Sequence, residues 1–79
     1  MKVETHYYGM ISDRLERSSE LHTFETEGGT VNLRDYFETR HPELKEVNYK
    51  IAVNHEITDM LPANIEINQI ALLPPFAGG

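Results

Sequence analysis

Cysteine and tryptophan are both missing from this chain of 79 residues, and the first absence is the more restrictive. Without cysteine there is no disulfide, no thiolate metal ligand, no thiol nucleophile and no side chain on which sulfur could ride as a persulfide. Basic residues are scarce too: 7 Lys and Arg stand against 13 Asp and Glu, a formal charge of −6. That balance repels phosphate backbones and anionic lipid surfaces, which argues against nucleic acid or membrane as a partner. No apolar run approaches the length of a membrane span. The opening Met1-Lys2-Val3-Glu4-Thr5-His6 is too polar and acidic for a signal peptide, so a cytoplasmic protein is expected. Length sets the last limit. One domain of this size buries only about 60 to 65% of its unfolded surface, which leaves no room for an active-site cleft between domains.

What the chain does have is an unusual ending. Ile70-Ala71-Leu72-Leu73-Pro74-Pro75-Phe76-Ala77-Gly78-Gly79 carries no charged side chain, so its only ionic group is the terminal carboxylate of Gly79. A frayed tail is ordinarily polar, whereas Leu73, Pro74, Pro75 and Phe76 are apolar right up to the glycines. Two glycines in succession, lacking β-carbons, make the narrowest backbone a chain can offer to a slot in another protein. The prolines favour an extended shape. Fully extended, Pro74 to Gly79 spans roughly 20 Å, enough to leave a small domain and enter a buried site.

Ahead of the tail the pattern predicts alternating strands and helices in a single domain over residues 1–73, with 74–79 as a flexible tail. Lys2 to Tyr8 alternates, with Val3, Thr5 and Tyr7 on one face. Met10, Ile11 and Leu15 predict one short helical turn. Glu20 to Thr26 is expected as a second strand, bulged or at an edge, because Leu21 and Phe24 sit three apart and out of step. Gly28-Gly29 marks a turn, and Thr30 or Asn32 caps a helix carrying Leu33, Tyr36 and Phe37 on one stripe and ended by Pro42. With Asn32 as cap, Asp35 falls at the third helical position. Tyr49 to Asn54 predicts a strand with Ile51 and Val53 inward. A turn at Asn54-His55-Glu56, a short Ile57-Thr58 strand, a loop through Pro62 and Asn64, and a final strand from Gln69 to Leu73 follow. Strands flanking one helix in so few residues match an α+β, ubiquitin-like arrangement, the β-grasp.

Side-chain chemistry is thin. The 4 histidines, at positions 6, 22, 41 and 55, show no close spacing in sequence, and no metal site is expected. His55-Glu56-Ile57-Thr58-Asp59 echoes the helical zinc-protease motif, but that motif needs its first and fifth residues on one helix face, while this stretch reads as turn and strand. No serine sits in a glycine-flanked elbow and no glycine-rich phosphate loop precedes a helix. The carboxylates are dispersed, as on a solvated surface.

The ending Ile70 to Gly79 resembles that of the sulfur-carrier proteins of the MoaD/ThiS family, and its Ala-Leu-Leu-Pro-Pro-Phe-Ala-Gly-Gly wording is most similar to the molybdopterin-synthesis branch. Met1-Lys2-Val3, Tyr7-Tyr8-Gly9-Met10-Ile11, the Leu33 to Phe37 helix before His41-Pro42-Glu43-Leu44, and Ile51-Ala52-Val53-Asn54 resemble family landmarks in the expected order. The resemblance spans nearly the whole chain, although only the tail is specific. It departs before the last strand, where the family places a glycine followed by acidic residues and this chain has Ile67-Asn68-Gln69. Asn64 or Asn68 is expected to take the left-handed conformation that the glycine would supply.

The resemblance implies a carrier that is not catalytic alone and binds no cofactor. An ionised α-carboxylate is a poor acyl donor, so an E1-like enzyme would adenylate Gly79 with ATP and a sulfur donor would displace AMP to leave a thiocarboxylate. The tail would then enter the large catalytic subunit of molybdopterin synthase and give sulfur to cyclic pyranopterin monophosphate. Gly78 would provide clearance, and Tyr8, Leu73, Pro74, Pro75, Phe76 and Ala77 the partner-binding surface. Tyr8 joins that set because in a β-grasp the first and last strands run parallel, bringing their ends together. Three alternatives stay open: a carrier for thiazole synthesis, a ubiquitin-like modifier joined to lysines through Gly79, and a non-covalent β-grasp interaction module.

Overall fold

The computed structural model describes residues 1–25, 31–62 and 65–75. Strand β1 (Lys2–Tyr7) alternates as predicted, with Val3, Thr5 and Tyr7 buried and Lys2 and Glu4 exposed. Gly9 then turns the chain into the short helix α1 (Met10–Leu15), which buries Ile11 and Leu15 and is closed by Glu16 in a left-handed conformation.

Strand β2 (Ser19–Thr23) pairs antiparallel with β1 at the edge of the sheet. Its phase corrects the sequence expectation. Val3 lies opposite His22 and Glu4 opposite Leu21, so His22 points to the core and Leu21 away from it. Leu21 is 61% exposed, His22 2%, and Phe24 is buried in the same phase as His22. Of the two expected forms, bulged or at an edge, the strand takes the second: it lies at the edge in regular register from Ser19. A histidine that reads as polar had masked the inward position, because burial of an imidazole depends on partners that local sequence does not show. Thr26, the expected end of that strand, and the expected turn at Gly28-Gly29 lie outside the described residues, as does Thr30.

Helix α2 (Leu33–Arg40) starts where predicted. The Asn32 side-chain oxygen accepts a hydrogen bond from the Asp35 backbone N–H at 3.0 Å, satisfying one of the orphan donors at the helix start. Leu33 and Phe37 are buried against the sheet, and Tyr36 packs beside them half-buried. Pro42, which cannot continue the helix, opens a 3-10 helix (Pro42–Glu46) that buries Leu44.

Strand β3 (Lys50–Val53) and the two-residue strand β4 (Glu56–Ile57) form a hairpin. Its turn residues Asn54 and His55 have φ of 48° and 73°, the positive pair that suits the twist of a tight hairpin. Strand β5 (Gln69–Leu73) lies between β1 and β3, parallel to the first and antiparallel to the second. The order is β2-β1-β5-β3-β4.

Asn54 also explains how the approach to β5 is made without a glycine. Its side-chain oxygen accepts from Asn68 N–H at 2.7 Å and Gln69 N–H at 3.3 Å, and its side-chain NH2 donates to the Glu66 carbonyl at 2.7 Å. The expected left-handed Asn68 is therefore corrected: among the described residues positive φ occurs at Gly9, Glu16, Asn54 and His55. The carboxamide of a distant turn satisfies the backbone that a local left-handed residue would otherwise have had to orient. Asn64 lies outside the described residues.

The core sits between α2 and one face of the sheet, where Leu33 and Phe37 meet Val3, Tyr7, Ile51, Val53, Ile70 and Leu72. Among the described residues no helix is long and apolar enough to cross a membrane.

Candidate docking face and tail exit

The chain leaves the sheet from its middle. Leu72 pairs with Tyr7 on one side and with Ile51 on the other, and Leu73 pairs with Lys50. Pro74 then lies over the turn that follows β1: a β-carbon built on Gly9 would come within 3.1 Å of Pro74 Cγ. Phe76, Ala77, Gly78 and Gly79, the reactive end expected from the sequence, lie outside the described residues.

The face of the sheet turned away from α2 is apolar where the chain exits. Ile70 and Leu72 point into the core, so Ala71 and Leu73 point outward. Along one row of that face His6 lies opposite Ala71, Ala71 opposite Ala52, and Ala52 opposite Ile57. The two alanines keep the floor shallow. Tyr8 stacks on His6, ring centroids 6.4 Å apart and planes 28° from parallel, which places it on this same face at 45% exposure. Beside β5 a groove of about 310 Å³ is lined by Asn48, Lys50, Ile57, Leu73, Pro74 and Pro75 among others.

Three of the expected partner-binding residues, Leu73, Pro74 and Pro75, thus meet in one groove, while Tyr8 lies across β5 from it. Sequence reasoning missed Ile57, which is 59% exposed, and Lys50, which sets a positive charge beside the root of the tail. The signal for Ile57 lay in the hairpin. A two-residue turn at Asn54-His55 pairs Ala52 with Ile57, and side chains directly opposite share a face.

The face covered by α2 carries a different chemistry at the same end of β1. The Tyr7 hydroxyl donates to Glu20 Oε1 at 2.8 Å and lies 3.2 Å from His22 Nε2, while His22 Nδ1 lies 2.8 Å from the Tyr36 hydroxyl. Since Tyr7 spends its proton on Glu20, its oxygen accepts from His22 Nε2–H, and Nδ1 accepts from Tyr36. This assigns His22 the Nε2–H tautomer. His41 Nε2 is 3.2 Å from Glu20 Oε1, and Arg17 pairs with Glu20 Oε2 at 2.8 Å. Histidines far apart in sequence therefore meet on one carboxylate, although with both His22 ring nitrogens engaged by tyrosines the cluster offers no metal-holding group. Burial alone would push the Glu20 carboxyl up, but hydrogen bonds from Tyr7 and His41, with His22 and Arg17 nearby, hold it down to about 2. Burial pushes His22 below the usual histidine range, and burial with the Glu20 bond pushes the Tyr7 hydroxyl up. A second brace joins α2 to the β4 side. The Arg34 guanidinium donates to both Asp59 oxygens, at 3.1 and 3.2 Å, and covers the Tyr49 ring at 4.4 Å.

A mixed sheet with parallel first and last strands at its centre, one main helix across one face and a chain end issuing from the middle strand defines a β-grasp domain. Two solved structures share that fold over almost their whole length. One, described as molybdopterin converting factor subunit 1 from Pyrococcus furiosus, is 21% identical with a TM-score of 0.70, covering 96% of this chain and 99% of the other. The second is SAMP1 from Haloferax volcanii, 19% identical with a TM-score of 0.73 and full coverage of both chains. No family model and no curated protein matches the sequence.

Proposed function

We propose that this chain is the sulfur-carrier subunit of a molybdopterin synthase. One observation carries the reading: Leu73, Pro74 and Pro75, which lead in sequence to Gly78-Gly79, continue the central strand of a β-grasp sheet and line an apolar groove that stands open among the described residues. A likeness in fold to a protein described as molybdopterin converting factor subunit 1 is consistent with it.

In this reading the Gly79 carboxylate is the covalent site. An E1-like enzyme forms the acyl adenylate with ATP and releases pyrophosphate. A sulfur donor then displaces AMP and leaves the thiocarboxylate, which the large catalytic subunit uses to put sulfur on cyclic pyranopterin monophosphate. The carrier supplies no acid, base or metal. Its work is presentation: Leu73, Pro74, Pro75 and Ile57 dock, Ala77 and Gly78 thread, and Gly79 delivers. Activation and transfer place the protein in the cytoplasm.

Intact-mass measurement of protein from its native cells tests the reading, because a carrier shows a mass increase equal to replacing one oxygen by sulfur at Gly79. Removing Gly79, adding residues after it, or changing Gly78→Val should abolish pyrophosphate release by the activating enzyme while thermal unfolding is unchanged. Activation and sulfur transfer retained in a folded, extended variant would refute the carrier. Conjugates on lysines without any thiocarboxylate would point to a modifier instead.

A further inference from the structure

Between the end of β1 and the start of α1, Gly9 combines two features that one residue rarely needs at once. Its backbone, at φ 55° and ψ −131°, lies in a region that side chains other than glycine rarely adopt. A β-carbon there would also fit too tightly, with Pro74 Cγ 3.1 Å and Pro74 Cβ 3.8 Å from that point. The first feature shapes the turn. The second concerns the other end of the chain, because Pro74 is the first residue beyond β5.

The surroundings make the contact a fixed one. Gly9 is held at its carbonyl, which accepts from the Ser12 hydroxyl at 2.8 Å and from Asp13 N–H at 3.3 Å. Tyr8, just before it, offers its carbonyl to Ile11 N–H at 3.1 Å. On the other side Pro74 follows a strand whose register is set by pairing with both β1 and β3. Two rigid segments therefore meet at a position with no side chain, and a proline with fixed φ fills it.

We infer that Gly9 is a positioning residue for the C-terminal tail: its bare α-carbon is the seat of the Pro74 ring, and that seat sets the direction in which the tail leaves the sheet. The inference rests on the carrier reading for its purpose, since direction matters only if Gly79 must reach an active site. It does not rest on that reading for the contact itself. A β-carbon at position 9 presses on the Pro74 ring, which must give by a few tenths of an ångström and so tilts the exit. A binding module that never used its chain end would have no need of the seat.

Strain and collision can be separated by a double-mutant cycle of Gly9→Ala and Pro74→Ala. Backbone strain from Gly9→Ala is the same in either background, but the collision with Cγ exists only when proline is present. Urea unfolding of the four proteins should show that Gly9→Ala lowers the midpoint by a clearly larger amount in the wild-type background than in the Pro74→Ala background. Steady-state activation by the E1-like adenylating enzyme, followed as pyrophosphate release, gives the second readout. Gly9→Ala should raise the KM for the carrier about tenfold with kcat little changed, a size typical of residues in direct contact. The double variant should be no worse than Pro74→Ala alone.

Equal midpoint losses in both backgrounds would overturn the seat. A coupling in stability with an unchanged KM would overturn its positioning role. If the wild-type chain is not activated at all, the carrier reading fails, and with it the purpose of the seat, while the unfolding cycle still decides whether Gly9 holds Pro74. Should Gly9→Ala fail to fold, Pro74→Ala alone carries the test, because it empties the seat without straining Gly9 and must raise KM by itself.

Discussion

Tyr7 and Tyr8 are neighbours in sequence and belong to opposite worlds. Tyr7 is 2% exposed and its hydroxyl is the hub of a buried network; Tyr8 is 45% exposed and stacks on His6. The face under α2 buries polar groups and, apart from the Thr5 hydroxyl, satisfies them. The other face leaves Ile57 and Tyr8 exposed, with the small, shielded Ala52 and Ala71 between them. A sheet under selection for stability alone would do the reverse, covering its apolar residues and avoiding a buried histidine. The difference teaches how each face is built: the polar one is closed and holds the domain together, and the apolar one is left open, as the proposed docking role requires.

The strongest way to break the comparison is to empty the closed face. His22→Ala removes a fully buried ring and takes from the Tyr36 hydroxyl its His22 partner, while Tyr7 keeps its bond to Glu20, so a loss of about 3 kcal/mol is expected in urea unfolding. A loss under about 1 kcal/mol would mean that water replaces the imidazole without cost.

Acid attacks the same network more gradually. His22 titrates below its usual range in the folded domain, so its contribution is complete above pH 6.5 and falls as pH drops through that value. Glu20 moves from 4.5 to about 2 on folding, so a second loss, on the order of 2 to 3 kcal/mol, runs between those limits. The groups facing this pair are Tyr7 on β1, Arg17 before β2, Tyr36 and Arg40 on α2, and His41 beyond it. Unfolding midpoints measured from pH 8 to 3 should fall in two stages. Glu20→Gln should remove the lower stage and leave the upper one.

The open face predicts the opposite pattern. Tyr8→Asp and Ile57→Asp should each weaken binding to the large synthase subunit by more than about 1 kcal/mol while changing stability by less than about 0.5 kcal/mol. Calorimetric titration, with thermal unfolding as control, measures both. Wild-type affinity in both folded variants would remove this face from the interface.

The smallest effect sharpens the closed face. Thr5 is fully buried, and among the described residues its hydroxyl has no hydrogen-bond partner. Thr5→Val keeps the shape, removes the unmatched polar group and should stabilise by about 1 kcal/mol. Destabilisation would reveal a partner for the hydroxyl.

The sequence made the elements that depend on local pattern legible. β1, α1, β3 and β5 follow from alternation and helical spacing, and Asn32 caps α2 because three residues suffice to specify a cap. The parallel pairing of first and last strands followed from the fold class. What stayed hidden joins distant segments. The phase of β2 turns on His22, whose inward place is secured by Tyr7 and Tyr36 from two other elements. The path into β5 turns on Asn54, whose side chain serves backbone more than ten residues away. The tail residues Leu73, Pro74 and Pro75 that line the groove were legible from their apolar run, but the place of Ile57 beside them required the hairpin register, and the seat at Gly9 required both ends of the chain in one frame.

The central place of β5 has a consequence in time. Among the described residues it is the last strand in sequence and joins the β2-β1 and β3-β4 pairs, and its parallel partner lies some 65 positions earlier, as Glu4 opposite Gln69 shows. Contacts that span nearly a whole chain form late. A nascent chain cannot complete this sheet until Leu73 has emerged from the ribosome, and a chain damaged anywhere earlier cannot hold β5 in place. In the carrier reading, an activating enzyme that requires the strand-following segment together with a completed sheet would spend its ATP only on folded chains.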